Sequence, residues 1–423
     1  MSRSALADEQ QVLGDPLEFK LPQSLEASTP PELEGRARDG VRLMVARRGS
    51  QELVHMRFYE LPDILRPGDL LVVNTSATLP AALDGKVNDE PAAIHLSGPM
   101  SEPVHHAMSE PVHRAVSEPF LGPFDRAGPR RIGASSRDFD QKARDVAQNS
   151  SPGAQKSEDA AQKRWLVELR HRGDLETTPW LDARPGTEIT LDGGGSARLV
   201  RPGMTARSSE QRSTRLWEAE LSVGSPVLEY LAQHGHPIRY GYARMGLSID
   251  SYQTVFADEP GSAEMPSAAR PFTADLVARL VSRGVGIAPI SLHTGVSSPE
   301  AHEPPIPEWF KVSAETAARV NATRRLGRWV IAVGTTSVRA LESASDERGL
   351  VLAAQGRTDL VIGPKHPVRV ADGMITGWHE PGASHLAMLS AVAGSQLLES
   401  SYREALAKGY LWHEFGDSQL IVP

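Results

Sequence analysis

Gly334-Thr335-Thr336-Ser337 follows the apolar run VIAV and leads straight into VRALES, so three hydroxyl side chains stand at the mouth of a helix, where they can cap its free amides. The free amides of a first helical turn and the positive end of its dipole attract a carboxylate or phosphate. Arg339, within the first turn, can hold the same anion, or can pair with Glu342 on the helix surface. The Gly-Lys-Ser/Thr ending of a Walker loop is missing. His293 in SLHTG and His379 in TGWHEP each end an apolar stretch beside a Gly or Pro turn. An imidazole there can move protons near neutral pH, or can be a hydrogen-bonded structural group. Neither stands in a zinc-binding spacing, so no metal is expected. Tyr252, Gln253 and Thr254 open the segment SYQTVFADEPGSAEMPSAARPFT, a Tyr-Gln-Thr strand running into a loop of small residues. Its phenol and amide can read a base edge or a ribose, and the small residues let the backbone approach a ligand. Asp359 and Asp417 read as turn or cap residues.

These groups need elements to carry them. From about Pro226 the apolar period alternates between helical and extended. Thr273 caps ADLVARLVSRG and Gly284 follows it; Ser313 caps AETAARVNATRRLG, which ends at Gly327. VGIAPISLH and WVIAVG read as buried strands, LVLAAQG, DLVIG and VRVADGMITGW as shorter ones, Ser384 to Lys408 as one long helix, and SQLIV as the last strand. Such alternation predicts a largely parallel α/β sheet or barrel, with active groups at the C-terminal ends of its strands. SLHTG, GTTS and TGWHEP all fall there. Between about Leu70 and Ser222 the strands are instead half-polar and broken by Pro-Gly and Gly-Gly-Gly turns, which predicts a small β-barrel or sandwich.

Composition narrows the class of protein. Cysteine is absent, which excludes disulfides and thiolate chemistry, and a formal net charge of −8 argues against a globally basic nucleic-acid binder. The start MSRSALADEQQVLGDP lacks the apolar core of a signal peptide, and no apolar run approaches the roughly 20 residues of a membrane span, so a cytoplasmic location is expected. SEPVHHAM, SEPVHRAV and SEPF, starting at Ser101, Ser109 and Ser117, form a tandem repeat too short for a solenoid unit. It and the polar text to about Lys163 read as a low-complexity insertion.

SYQTVFADEPGS, SLHTG, AVGTTSVRALES, GRTDLVI, TGWHEPGASHLAMLSAVAG and YREALAKGYLWHEFGDSQLIV, with FKLPQSL, FYELPDILRPGDLLVVNTSATLPAAL and RPGTEITL nearer the front, together resemble the S-adenosylmethionine:tRNA ribosyltransferase-isomerase family. The likeness spans nearly the whole chain outside the tail and the insertion. It implies an α/β fold: an α/β barrel-like domain, 17–69 plus 223–423, interrupted by a smaller β-barrel domain, 70–222, within which the insertion read above falls at about 98–163; the polar opening, 1–16, reads as a disordered tail. It further implies that S-adenosylmethionine, as co-substrate and with no metal, gives its ribosyl group to the aminomethyl nitrogen of a 7-deazaguanine in the tRNA anticodon loop. Epoxyqueuosine forms, and adenine and methionine leave. Tyr252, Gln253, Thr254, Gly334, Thr335, Thr336, Ser337 and Arg339 would then bind the co-substrate, and His293, His379 and Glu308, at the family's acidic position, would be catalytic. A monomer or weak homo-oligomer is expected, with no membrane partner.

Departures accompany the likeness. The family's Leu-His-Phe-Thr is Arg270-Pro271-Phe272-Thr273 here, and its Gly-Thr-Phe after SLHTG is Ser297-Ser298-Pro299. Its Asn-Asp-Thr-Arg becomes Asn74-Thr75-Ser76-Ala77, and the Arg of Pro-Ala-Arg-Leu becomes Ala82. Losing a histidine and two arginines weakens the polyanion-facing side more than the nucleotide-like one. Two alternatives therefore stand beside the main reading: a paralogue using S-adenosylmethionine on a non-tRNA acceptor, and a non-catalytic RNA- or nucleotide-binding homologue.

Overall fold

A computed structural model describes residues 17–100, 164–173, 177–203, 215–239, 241–244, 246–296 and 306–423. The tail 1–16, the Ser101–Phe120 repeat with the rest of the low-complexity text, and Ser297–Pro299 lie outside the described residues. The strands in chain order are β1 (Arg42–Arg47), β2 (Leu53–Arg57), β3 (Leu70–Asn74), β4 (Ser76–Thr78), β5 (Ala82–Val87), β6 (Glu90–Pro99), β7 (Arg164–Arg172), β8 (Thr177–Pro179) and β9 (Glu188–Leu191). They continue with β10 (Ser196–Pro202), β11 (Leu216–Ser222), β12 (Glu259–Ser262), β13 (Gly286–Leu292), β14 (Glu308–Val312), β15 (Val330–Val333), β16 (Ala354–Thr358), β17 (Gly373–Gly377) and β18 (Ser418–Val422). The α-helices are α1 (Val227–His234), α2 (Ala274–Ser282), α3 (Ala314–Arg325), α4 (Thr335–Ser343), α5 (His385–Ala393) and α6 (Ser395–Ala407).

Nine strands form the large sheet in the order β16-β14-β13-β3-β15-β17-β18-β1-β2. At its centre β13, β3, β15 and β17 are mutually parallel. Such strands are covered on both faces and so read as unbroken apolar runs, as LLVV and VIAV do. Alternate residues serve opposite layers: Leu71, Val73, Ile331 and Val333 pack with Leu276 and Leu280 of α2. Leu70, Val72 and Val330 pack with Val320 of α3 and Leu341 of α4. The edge strands β16 and β2 do not pair with each other, so the sheet's hydrogen bonding is open where a closed α/β barrel is one expectation.

The inserted unit is a closed β-barrel. Strands β11, β10, β9, β5, β6 and β7 pair in sequence and β7 pairs back to β11, while β8 hangs on the outside of β7. Closure removes exposed edges. Trp165, Val167, Leu169, Leu191 and Trp217 fill its interior, and α1 lies against it through Val227 and Leu231. The expected start of this unit at residue 70 is corrected, because β3 belongs to the middle of the large sheet and the barrel starts at Ala82. A short buried apolar run looks the same in either sheet. The expected insertion start at 98 also moves, since β6 runs to Pro99.

Several elements form as their sequences predict. The Thr273 hydroxyl accepts from Leu276 N at the start of α2, and Ser313 accepts from Thr316 N at the start of α3. Gly284 and Gly327 take left-handed φ values just past each helix. Asp417 is a cap, accepting from the amides of Arg42 and Leu411. Three expectations are corrected. The helix over 384–408 is two helices, because Gly394 at φ +81° cannot continue α5. DLVIG is no strand: the carbonyls of Thr358 and Leu360 accept from Arg339 in place of a neighbouring strand. Tyr252 ends a 3-10 turn, Ile249–Tyr252, and is not in a strand. Among the described residues no helix is long and apolar enough to cross a membrane.

Candidate active site

The C-terminal ends of the four parallel strands lie side by side in the order β13, β3, β15, β17. They carry, respectively, His293-Thr294-Gly295, Asn74-Thr75-Ser76, Gly334-Thr335-Thr336-Ser337 and Thr376-Gly377-Trp378-His379. A crevice beyond such strand ends is where α/β sheets bind ligands.

At β13 the exit is held by side-chain amides and hydroxyls. Asn74 donates from Nδ2 to Leu292 O (2.8 Å) and accepts from Leu292 N (3.0 Å), so it acts as one more ladder rung. Beyond it, His293 Nδ1 is 2.8 Å from the Ser76 hydroxyl, which is 2.6 Å from that of Ser262. The Trp309 indole stacks on the imidazole at 4.8 Å. A β-carbon on Gly261 would lie 2.3 Å from His293 Nδ1, so only glycine lets that loop close over the ring. Burial holds the His293 pKa down to about 4 against the opposing pull of Glu259, and the ring is neutral at pH 7.

Glu308, at the start of β14, accepts from Gly295 N (2.9 Å) and from Arg339 Nη1 (2.6 Å). Burial raises its pKa, and the guanidinium and the amide pull it back. Arg339 is 5% exposed. It donates from Nε to Leu360 O and from Nη2 to Ile306 O and Thr358 O. The anticipated Arg339–Glu342 pair is absent: Glu342 accepts from the amides of Arg369 and Val370. Arg339 thus clamps Glu308 and the chain about β14 and β16, with its fork turned to protein acceptors.

At the mouth of α4, Gly334 is the N-cap at φ +87°, and its amide bonds Ile375 O of β17. The expected capping by the three hydroxyls is corrected. Ser337 turns back to Val333 O, no side chain caps the helix, and the Thr336 hydroxyl is buried without a partner. An uncapped first turn and an orphaned hydroxyl leave donors free at this corner.

His379 follows β17. Its Nε2 lies 3.0 Å from the Thr376 hydroxyl, and its ring stacks on His385 at 4.6 Å. Burial pushes His379 well below its usual pKa and His385 to about 4, the latter also repelled by Arg339. His385 therefore faces the same arginine that holds Glu308. The second Trp-His-Glu triplet, Trp412-His413-Glu414, packs on the first, Trp378-His379-Glu380: Trp412 Nε1 donates to His379 O (3.0 Å), and His413 Nδ1 is 3.7 Å from Glu380. For His413 and Glu414 the signal in the sequence is the repeated Trp-His-Glu; His385 has none.

The YQT residues have local duties. Gln253 donates to Thr78 O (2.8 Å) and accepts from Thr78 N (3.0 Å), Thr254 accepts from Phe256 N, and Tyr252 is buried with its hydroxyl unpartnered. Arg270, in the family's altered tetrapeptide, donates to Ser251 O and to both oxygens of Glu32. Among the described residues no group of three or more His, Asp or Glu is arranged to hold a metal.

The depressed histidines predict a pH dependence of stability. His293, His385 and His413, at about 4, and His379, further down, bind protons more readily unfolded than folded. Their stabilisation is full above about pH 6.5 and is lost as pH falls toward 4. Glu414, raised to about 7 by burial, acts oppositely, stabilising below its unfolded value and losing that as pH rises through 7. Urea midpoints should therefore climb between pH 4.5 and 6.5, with net proton uptake on unfolding. A flat profile there would mean that the rings are solvated.

An α/β sheet with an inserted β-barrel gathers polar groups at the ends of four parallel strands, the place where open α/β sheets bind ligands. The chain belongs to the queuosine biosynthesis protein family, whose model matches residues 15–118 and 142–421. It is 32% identical to the S-adenosylmethionine:tRNA ribosyltransferase-isomerase of Symbiobacterium thermophilum over 96% of this chain and 98% of that protein. It is 30% identical to the enzyme of the same name from Gloeobacter violaceus, over 99% of each. Among solved structures, the S-adenosylmethionine tRNA ribosyltransferase of Thermotoga maritima aligns at 23% identity with a TM-score of 0.45, covering 96% of this chain and 99% of that one.

Proposed function

We propose that the chain transfers and isomerises the ribosyl group of S-adenosylmethionine onto a 7-aminomethyl-7-deazaguanine in tRNA, forming epoxyqueuosine and releasing adenine and methionine. The observation that carries this is the convergence of SLHTG, NTSAT, GTTS and TGWHEP on adjacent parallel strand ends, in a chain matching relatives of that name over nearly its full length. Neither alternative, another acceptor or binding without chemistry, is favoured by any feature of the site.

The buried, unpartnered hydroxyls of Thr336 and Tyr252 fit a polar ligand that completes them. S-adenosylmethionine supplies a sulfonium that acidifies the neighbouring carbon and makes methionine a good leaving group. The uncapped amides of Thr335 and Thr336 and the Thr336 hydroxyl would seat the methionine carboxylate. His293, neutral and steadied by Ser76 and Trp309, is suited to take a proton. Glu308, fixed by Arg339 and Gly295, sets the negative field beside it, and His379 offers a ring nitrogen to the departing base. Arg339 serves as a positioning residue for Glu308 and not as the carboxylate's own ligand.

Adenine release from S-adenosylmethionine tests the reading. Release should require tRNA carrying the aminomethyl base and should stop with the same tRNA carrying guanine. Release without any tRNA would point to another acceptor.

A further inference from the structure

A small pocket opens beside the strand ends, between the loop after β12 and the second Trp-His-Glu triplet. Thr78, Tyr252, Ala263, Glu264, Met265 and Glu414 line it. Its wall is tied to the SLHTG exit: Ala263 N donates to Thr294 O (2.7 Å), and Thr294 Oγ1 donates to Glu264 O (2.6 Å). Tyr252, a lining residue of the pocket, is 4% exposed, and its hydroxyl has no hydrogen-bond partner. A buried phenol left unpaired costs stability unless something in the pocket pairs with it. Glu414, fixed by a hydrogen bond from the Tyr242 hydroxyl, and Glu264 give the same pocket a negative wall. Apolar Pro237, Ile238, Ala263 and Met265 complete it. A compact cation with hydrogen-bonding capacity, on a short apolar stem, matches this lining better than an anion or a ring.

We infer that this pocket seats the protonated primary amine of the acceptor, the aminomethyl group, between the Glu414 carboxylate and the Tyr252 hydroxyl. This rests on the ribosyl-transfer reading above. The ammonium is no nucleophile until it loses a proton. Glu414 takes that proton: an N–H bond breaks, its electron pair stays on nitrogen, and an O–H bond forms on the carboxylate. Burial, with the nearby Glu264 and Glu380, raises Glu414 to about 7 against the hydrogen bonds from Tyr242 and from its own backbone. Glu414 is therefore a competent proton acceptor at neutral pH. Arg239 and Arg270 also act on Tyr252, while burial and Glu414 push its phenol up to about 12, so it stays a hydrogen-bond donor or acceptor and not a charge.

The test compares anticodon stem-loop RNA carrying 7-aminomethyl-7-deazaguanine with the same RNA carrying 7-methyl-7-deazaguanine, titrated against the full chain by fluorescence. The protein should prefer the amine at least about 10-fold, and the preference should grow from pH 6 to pH 8 as Glu414 ionises. Glu414→Gln should abolish the preference. Tyr252→Phe should reduce it several-fold while leaving the thermal midpoint unchanged or higher, since an unpartnered buried hydroxyl is removed. No preference in the unaltered protein, or a preference that survives Glu414→Gln, overturns the seat. Turnover assays separate the two ideas. A protein that modifies tRNA without preferring the amine loses only the pocket. One that prefers the amine yet releases no adenine retains the pocket and loses the ribosyl-transfer reading.

Discussion

Arg339→Ala is expected to lower the free energy of unfolding by about 3–5 kcal/mol, the range for stripping one partner from a buried ion pair. The arginine is 5% exposed and its 2.6 Å contact is with Glu308, itself tucked under Gly295 N. Removing it leaves a buried carboxylate unpaired and deprives the carbonyls of Ile306, Thr358 and Leu360 of their donor. Urea unfolding should show an earlier midpoint with an unchanged slope. Arg339→Ala/Glu308→Gln should be more stable than Arg339→Ala alone, because the stranded charge is gone. If the single variant unfolds like the unaltered protein and loses only S-adenosylmethionine binding, the arginine is a ligand residue and the clamp is misassigned.

His293→Ala should have the largest effect on turnover, a fall in kcat of about 10²–10⁴-fold, the usual contribution of a positioned proton-transfer group. Its stability cost should be modest by comparison, for the ring contributes one hydrogen bond, with Ser76, and a stack on Trp309. Gly261→Ala is the companion experiment. The new methyl would meet the imidazole at 2.3 Å and push it aside, so kcat should drop with S-adenosylmethionine affinity kept. Equal kcat in both variants and the unaltered protein would transfer the proton-taking role to another group.

Much of the scaffold was legible from local chemistry. Ser and Thr before helical runs, glycines just past them, and apolar quartets such as VIAV carry their meaning within a few residues, and α2, α3, α4, β13, β15 and β18 form there. What escaped depends on partners far away in sequence. Nothing near Arg339 announces Glu308, and nothing near Gln253 announces the Thr78 backbone it braces. LLVV reads alike in a barrel wall and in a sheet centre, which is why the barrel start expected at residue 70 falls instead in the large sheet. At the site, His293, His379 and Glu308 do reach the strand ends, whereas the hydroxyls of GTTS leave the helix uncapped. His385, His413 and Glu414 draw their altered acidities from burial, which a linear text does not display.

The central claim concerns what becomes of the ribosyl group, and the mass of the tRNA reads that directly. After incubation with S-adenosylmethionine, tRNA bearing the aminomethyl base should gain the ribosyl-derived unit, with one adenine and one methionine freed for each tRNA modified. An unchanged tRNA mass, with or without adenine release, would contradict it.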